Sequence, residues 1–238
     1  MKIALIGYGK MGKVIEEIAI QRGHTIVLII DITNPSELTK DNLAKADVAI
    51  EFTGPESAFN NVTKCMLAGI PLVCGSTGWL QHLEEAGASC LENNAALLVA
   101  SNFSVGVNIF FEINKRLAAL MQLHPSYDVQ IEEIHHTQKK DAPSGTAITL
   151  AEQVIEKINR KTRWAFPLSP DSKALSITSK RIDPAPGTHT VIYRSDIDDI
   201  EIKHTAHNRK GFATGAVFAA EFLANKKGIF TMSDVLGL

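Results

Sequence analysis

The side chains best suited to moving protons and holding anions crowd into one run, Glu133-Ile134-His135-His136-Thr137-Gln138-Lys139-Lys140-Asp141-Ala142-Pro143-Ser144-Gly145-Thr146-Ala147. His135 and His136 carry imidazoles, which exchange protons near neutral pH, and Lys139 and Lys140 add ammonium groups a few residues on. Pro143-Ser144-Gly145-Thr146 then reads as a helix start, with Ser144 as N-cap and Gly145 and Thr146 in the first turn. A first turn leaves backbone N–H groups without partners at the positive end of the helix dipole, so these two residues can offer amides to a carboxylate or phosphate. The chemistry this composes is proton exchange on an anionic small molecule. Taken singly, each part has a plain explanation, since such runs are usually only caps and paired histidines at a strand end are commonly solvated. Their coincidence in one stretch favours chemistry.

A second set lies at the N-terminus. Lys2 to Ile6 is a short apolar run, Gly7-Tyr8-Gly9-Lys10-Met11-Gly12 follows it, and Met11, Val14, Ile15, Ile18 and Ala19 repeat at helical spacing up to Arg22-Gly23. Thr25 to Ile30 is the next apolar run and ends in Asp31. Strand, glycine turn, helix, strand and acid in that order reproduce the dinucleotide fingerprint: glycines admit the pyrophosphate to the helix amides, and the acid receives ribose hydroxyls. A bare GxGxxG is weak evidence. Its placement between a strand and a helix, with the acid closing the second strand, makes it strong.

Positioning these groups requires two architectures in series. Val48 to Thr53, Pro71 to Cys74 and Leu97 to Ala100 read as further buried strands, with a helix from Ser57 to Leu67 ended by Gly69. The polar loops Gly75-Ser76-Thr77 and Ser101-Asn102-Phe103 follow two of those strands, where open α/β sheets bind ligands. After a long helix through Ile109, Phe110, Ile113, Leu117, Leu120 and Met121 the pattern changes. Val129 and Ile131 alternate with Gln130 and Glu132, so the histidines emerge at the end of a half-buried strand, and Ala147, Leu150, Ala151, Val154, Ile155 and Ile158 continue the capped helix. Ser176–Ile182, Thr190–Tyr193 and Ile200–Thr205 alternate as antiparallel strands do, Arg160 to Lys173 reads as a loop, and Phe212 to Leu223 is a last apolar helix returning to the first domain. The expected fold is therefore α/β, a Rossmann-type nicotinamide-binding domain over 1–104 plus about 212–238, with a second α+β domain over 105–211.

Composition narrows the partners. With 238 residues and a formal charge of −2 there is no basic excess, so neither nucleic acid nor a membrane is expected as a partner and a small molecule is. Cys65, Cys74 and Cys90 lack paired spacing and read as reduced thiols of a cytoplasmic protein. The chain opens on a strand pattern without a leader, and no apolar run approaches bilayer length, so a soluble, unexported protein is expected. His135, His136, His204 and His207 invite a zinc assignment, but cationic neighbours oppose it and no cysteine lies near, so no metal is expected.

The pattern Glu-x-His-x-x-x-Lys-x-Asp-x-Pro-Ser-Gly-Thr-Ala from Glu133 to Ala147 resembles the signature of the 4-hydroxy-tetrahydrodipicolinate reductase family, of lysine and diaminopimelate biosynthesis. The resemblance extends over nearly the whole chain: the GxGxxG, Gly75-Ser76-Thr77, Ser101 to Asn108, the signature, and Arg209 to Ala216. It implies an oxidoreductase using NADH or NADPH, a second domain that binds a cyclic dicarboxylate, and a homotetramer formed through the sheets of the second domains. By this resemblance His135 is the proton donor or acceptor and Lys139 a second proton-donating or carboxylate-orienting group, with His136, Gly145, Thr146 and Arg209 binding substrate. Gly7, Tyr8, Gly9, Lys10, Met11, Gly12, Asp31, Gly75, Ser76, Thr77, Ala100, Ser101, Asn102 and Phe103 match cofactor contacts.

This chain departs from the commoner family pattern in three places: a glycine loop one residue shorter, Ile32 after the acid where many members have arginine, and a compressed second crossover from Asn34 to Asp47. With no cation after Asp31 to meet a 2′-phosphate, NADH is the expected preference. Two rival readings are a dinucleotide sensor that has lost chemistry and another small dehydrogenase sharing only the first domain. The first is expected to have lost His135 or Lys139, and the second leaves the signature after residue 130 unexplained.

Overall fold

The computed structural model describes every residue except Arg209. It divides into two compact units, Met1–Val105 with Lys210–Leu238, and Gly106–Arg209. The first unit runs β1 (Lys2–Ile6), α1 (Lys10–Gln21), β2 (Thr25–Ile30), α2 (Lys40–Leu43), β3 (Val48–Glu51), α3 (Pro55–Ala68), β4 (Leu72–Cys74), α4 (Leu83–Glu92) and β5 (Ala96–Val99). Then come α5 (Val105–Met121), β6 (Asp128–His135), α6 (Gly145–Lys157), β7 (Arg163–Ala165), β8 (Ala174–Arg181), β9 (Gly187–Arg194) and β10 (Asp199–Ala206). The chain ends in α7 (Lys210–Leu223), β11 (Gly228–Phe230) and α8 (Met232–Leu236), which belong to the first unit.

In the first unit the strands lie in the order β11-β5-β4-β3-β1-β2, every pair parallel. Strands covered on both faces must be apolar throughout rather than alternating, and Ile3, Ala4, Leu5 and Ile6 are all buried. One face packs on α1 and α7 through Ile15, Ile18, Ala216, Val217 and Ala220, the other on α3 and α4 through Val62, Cys65, Met66 and Cys90. Gly7, at φ +99°, has no room for a side chain, since a Cβ would stand 2.1 Å from the Phe52 carbonyl oxygen. Here the glycine turn is required both by conformation and by space. Helix α4 and the edge strand β11 are elements that the sequence reading did not predict. The three residues of β11 are too few to display a period.

The second unit has a mixed sheet, β10-β9-β6-β8-β7. Strand β9 pairs antiparallel with β6 and β10, but β8 runs parallel to β6, which corrects the expectation of antiparallel strands throughout. Two returns of the chain cause this: α6 carries it back to the starting end of β6 before the short strand β7, and residues 166–173 carry it back again before β8, so both strands run parallel to β6. Within the expected loop Arg160–Lys173, residues Arg163–Ala165 form β7 on the sheet edge. Helix α6 buries Ala147, Leu150, Ala151 and Val154 against Val129, Ile131, Leu175 and Ile177. Burying each larger aliphatic side chain of that face stabilises by roughly 1.5–3 kcal/mol, which fixes where α6 begins relative to β6.

Candidate functional site

Strand β6 alternates strictly, with Val129, Ile131, Glu133 and His135 on the buried side. The last two are polar groups at positions where the pleat asks for apolar ones, and burying them unpartnered is costly. Glu133, fully buried, accepts the Ser144 amide on both oxygens at 3.2 and 3.1 Å, the Ser179 hydroxyl at 2.7 Å and the Arg181 guanidinium at 3.1 Å. Burial opposes ionisation, but the hydrogen bonds from His189, Ser144 and Ser179 outweigh it and hold the carboxyl well below its usual range.

His135, at 7% exposure, turns Nδ1 to Glu133 Oε2 at 3.4 Å, a charge contact rather than a well-aligned hydrogen bond. His189 of β9 lies opposite Glu133 in register, with Nε2 at 3.0 Å from Ser144 Oγ and 3.7 Å from Glu133 Oε2. The two imidazoles meet edge to face at 5.0 Å between centroids. Burial lowers the His135 pKa to about 4; Glu133 pulls it up, while His189, Lys139 and Arg181 push it further down. The expectation of an imidazole exchanging protons near neutral pH is thus corrected for His135. His135 is neutral at neutral pH.

The helix start matches its expected form. Ser144, extended at φ −70° and ψ 155°, caps α6 by accepting the Ala147 N–H on Oγ at 3.2 Å. Gly145 and Thr146 occupy the first turn, and a Cβ at Gly145 would meet nothing within 4 Å, so space is open beside these amides. Lys139 sits nearby in sequence with Nζ at 2.8 Å from both oxygens of Asp141. His136 is half-buried, and its neighbour Thr137 is tied to Asp183 through its amide at 3.1 Å and its hydroxyl at 2.5 Å. Arg209 lies outside the described residues.

The expected cofactor residues gather at the carboxyl edge of the first sheet. Gly7 to Gly12 turn β1 into α1 with Gly9 as N-cap, and a Cβ on Gly12 would press to 2.2 Å of the Gly7 carbonyl oxygen. Around Gly9 nothing lies within 4 Å of a Cβ position, so a ligand can approach the backbone there. Tyr8 donates its hydroxyl to Glu16, and Lys10 and Met11 open α1. Asp31 Oδ1 accepts the Thr33 hydroxyl at 2.6 Å and amide at 2.7 Å, which lower its pKa and keep it ionised. Gly75 has no space for a Cβ beside the Phe52 ring, Ser76 Oγ accepts the Thr53 amide at 2.8 Å, and Thr77 follows in the same loop. Ala100 to Phe103 leave β5 in the same way: Ala100 N–H bonds the Cys74 carbonyl at 3.2 Å, the Asn102 side chain accepts the Ser104 amide at 2.9 Å, and Phe103 is buried against Phe52.

Two groups escaped the sequence reading. Glu133 belongs to the histidine-bearing run without a role of its own there, although its place on the apolar side of the alternation is a usable signal. His189 carries no local signal, because only register brings it to Glu133. Ligand-type atoms of Glu133, His135 and His189 lie within 4.8 Å of one another. Donors already occupy the carboxylate, and Arg181 and Lys139 add positive charge, so the set suits a proton better than a cation.

Known proteins resemble this chain over nearly its whole length. Family models described as dihydrodipicolinate reductase, N-terminus and C-terminus, match residues 1–103 and 106–236. The chain is 51% identical to the 4-hydroxy-tetrahydrodipicolinate reductase of Christiangramia forsetii, covering 99% of this chain and 98% of that protein. It is 38% identical to the protein of the same name from Methanococcoides burtonii, over 95% of this chain and 86% of the other. Among solved structures, the dipicolinate-bound dihydrodipicolinate reductase of Paenisporosarcina sp. TG-14 matches the fold with a TM-score of 0.78 at 22% identity, covering 97% of each chain.

Proposed function

The chain belongs to the dihydrodipicolinate reductase family and reduces 4-hydroxy-tetrahydrodipicolinate with a nicotinamide cofactor, and from that premise we propose that His135 is the group that exchanges the substrate's proton. Substrate and product differ by hydrogen in place of the 4-hydroxyl. Hydride does not displace hydroxide directly from saturated carbon, so elimination precedes reduction. Neutral His135 removes the proton from the ring carbon between C4 and the imine carbon; the hydroxyl departs from C4 as water, with a proton from Lys139 or solvent, and leaves a double bond conjugated with the imine. Bound nicotinamide supplies a hydride for C4. Once C4 is reduced, the His135 imidazolium returns its proton to the neighbouring carbon. One hydride and one proton are consumed and one water is released.

Gly145 and Thr146 take one ring carboxylate on their amides, and Lys139 leaves Asp141 to meet substrate, with His136 and Arg209 as further substrate-binding groups. Charge-assisted bonds to a fixed helix start orient the ring. The observation that carries the reading is a buried, neutral imidazole linked through Glu133 to the N-cap of the anion-accepting helix. His135→Ala is expected to lower kcat by ~10²–10⁴-fold with NADH binding unchanged. A variant with near-normal kcat removes His135 from the mechanism.

The same proposal covers the cofactor and the assembly. Gly7 to Gly12, Gly75 to Thr77 and Ala100 to Phe103 hold the dinucleotide, which the open backbone at Gly9 fits. Asp31 accepts the ribose hydroxyls, and Ile32, 96% exposed, supplies no cation, so NADH is preferred over NADPH. The active form is a homotetramer built through the second-unit sheets, which β10 supports as an exposed sheet edge. Light scattering on the purified protein tests the assembly. Among the described residues no helix is long and apolar enough to cross a membrane, and we place the protein in the cytoplasm.

A further inference from the structure

Glu133 does more than stabilise the fold at one point, because it is the atom group shared by the proton-exchanging imidazole and the helix start. Both of its oxygens hold the Ser144 amide, and Arg181, which bonds it, also donates to the Asp141 carbonyl at 2.6 Å. Among the described residues no hydrogen-bond acceptor meets His135 Nδ1, and the nearest carboxylate contact is Glu133 Oε2 at 3.4 Å. An ionised carboxylate only accepts. A neutral imidazole has a single N–H, and setting the Nδ1 lone pair against that carboxylate would bring two negative ends together. The energetically favoured tautomer carries hydrogen on Nδ1 and the lone pair on Nε2.

The surroundings keep that outcome in place. Gly187, at the start of β9, stands beside Nε2: a Cβ there would come within 3.1 Å of Nε2 and 3.2 Å of Cδ2, so the glycine leaves this edge uncrowded. His189 packs edge to face on the ring and is itself held by Ser144 Oγ at 3.0 Å, which limits rotation of His135 away from Glu133. The groups facing His135 are thus Glu133 on its own strand, His189 from β9, Arg181 from β8 and Lys139 from the following loop.

We infer that Glu133, supported by His189, is a positioning residue that fixes His135 in the Nδ1–H tautomer and so makes Nε2 the atom that exchanges the substrate's proton. The inference rests on the assignment of His135 as that group. Neither residue touches the reacting atoms in this scheme; they act through the imidazole, as the carboxylate partner of a catalytic histidine does elsewhere.

The test is the ring tautomer in wild-type protein, read from long-range ¹H–¹⁵N correlations of ¹⁵N-histidine-labelled sample near neutral pH, with His135→Gln assigning the signal. Nδ1 protonated and Nε2 unprotonated is the expected result, and the opposite tautomer overturns the inference. Glu133→Gln, which can present either an oxygen or an amide nitrogen, is expected to mix the tautomers and to lower kcat by ~10²–10⁴-fold. A single unchanged tautomer with normal kcat in that variant also overturns it. If Glu133→Gln does not fold, the wild-type measurement still decides. Full activity in His135→Gln would instead remove the proton-exchange role itself, an outcome distinct from a wrong tautomer.

Discussion

Acidification should destabilise the second unit through His135 before it reaches the carboxylates. Its pKa falls from 6.5, the unfolded-chain value, to about 4 in the native protein. Between those values the unfolded chain binds a proton that the native chain refuses, so the stabilising contribution is complete above about pH 6.5 and is lost as pH falls toward 4. At about 1.4 kcal/mol per pKa unit the full displacement is worth about 3 kcal/mol. Glu133, also depressed, works at lower pH, because its contribution survives until its ordinary carboxylate range is passed. His204 is lowered by burial too, which makes a comparison with a variant essential. Urea unfolding of wild type and His135→Gln, each in a Trp79→Phe background so that Trp164 of β7 reports the second unit, would be compared at about pH 7 and about pH 4.5. Wild type is expected to lose about 2–3 kcal/mol more than the variant across that interval. Equal losses would mean that burial does not hold His135 neutral, and an imidazole with one free nitrogen would lose its electrostatic support.

Two further outcomes follow from the ligand-binding residues. Thr146→Val keeps side-chain shape but deletes a hydroxyl, and if that hydroxyl meets a substrate carboxylate kcat/KM should drop by ~1.5–3 kcal/mol with little change in melting temperature; an unchanged kcat/KM with a lowered melting temperature would make Thr146 structural. Steady-state kcat/KM should favour NADH over NADPH, because a 2′-phosphate would face the ionised Asp31, and at ~4 Å with an effective dielectric near ~20 each like-charge pair costs about 4 kcal/mol before screening. Asp31→Ser should narrow that ratio, and equal values in the wild type would refute the Asp31 argument.

Much of this was legible in the sequence because the governing patterns are local. Thr25–Ile30 was readable as a strand from its unbroken apolar run, and Ser144 as a cap from its place before a helical stripe. What escaped depends on distant partners. The direction of β8 follows from the return of the chain between β7 and β8 rather than from its own alternation, and β7 and β11 are three residues each, too short to show a period. His189 joins the site by strand register alone. The His135 pKa required knowledge of burial, since Glu133 and Lys139 are visible nearby in the sequence but the loss of water around the ring and the approach of His189 are not.

The first unit is discontinuous, and this orders its birth on the ribosome. When synthesis has passed β10, every strand of the second sheet exists, whereas the first sheet still lacks its edge strand β11 and the packing of α7. Ala213, Ala216, Val217, Ala220 and Leu223 of α7 cover the same face as Ile3, Leu5, Ile50 and Leu98. Until those residues leave the exit tunnel, the nascent nucleotide-binding half has only α1 on that apolar face, while the half that holds His135 already has the parts of its own core. The segment synthesised first is therefore the one completed last.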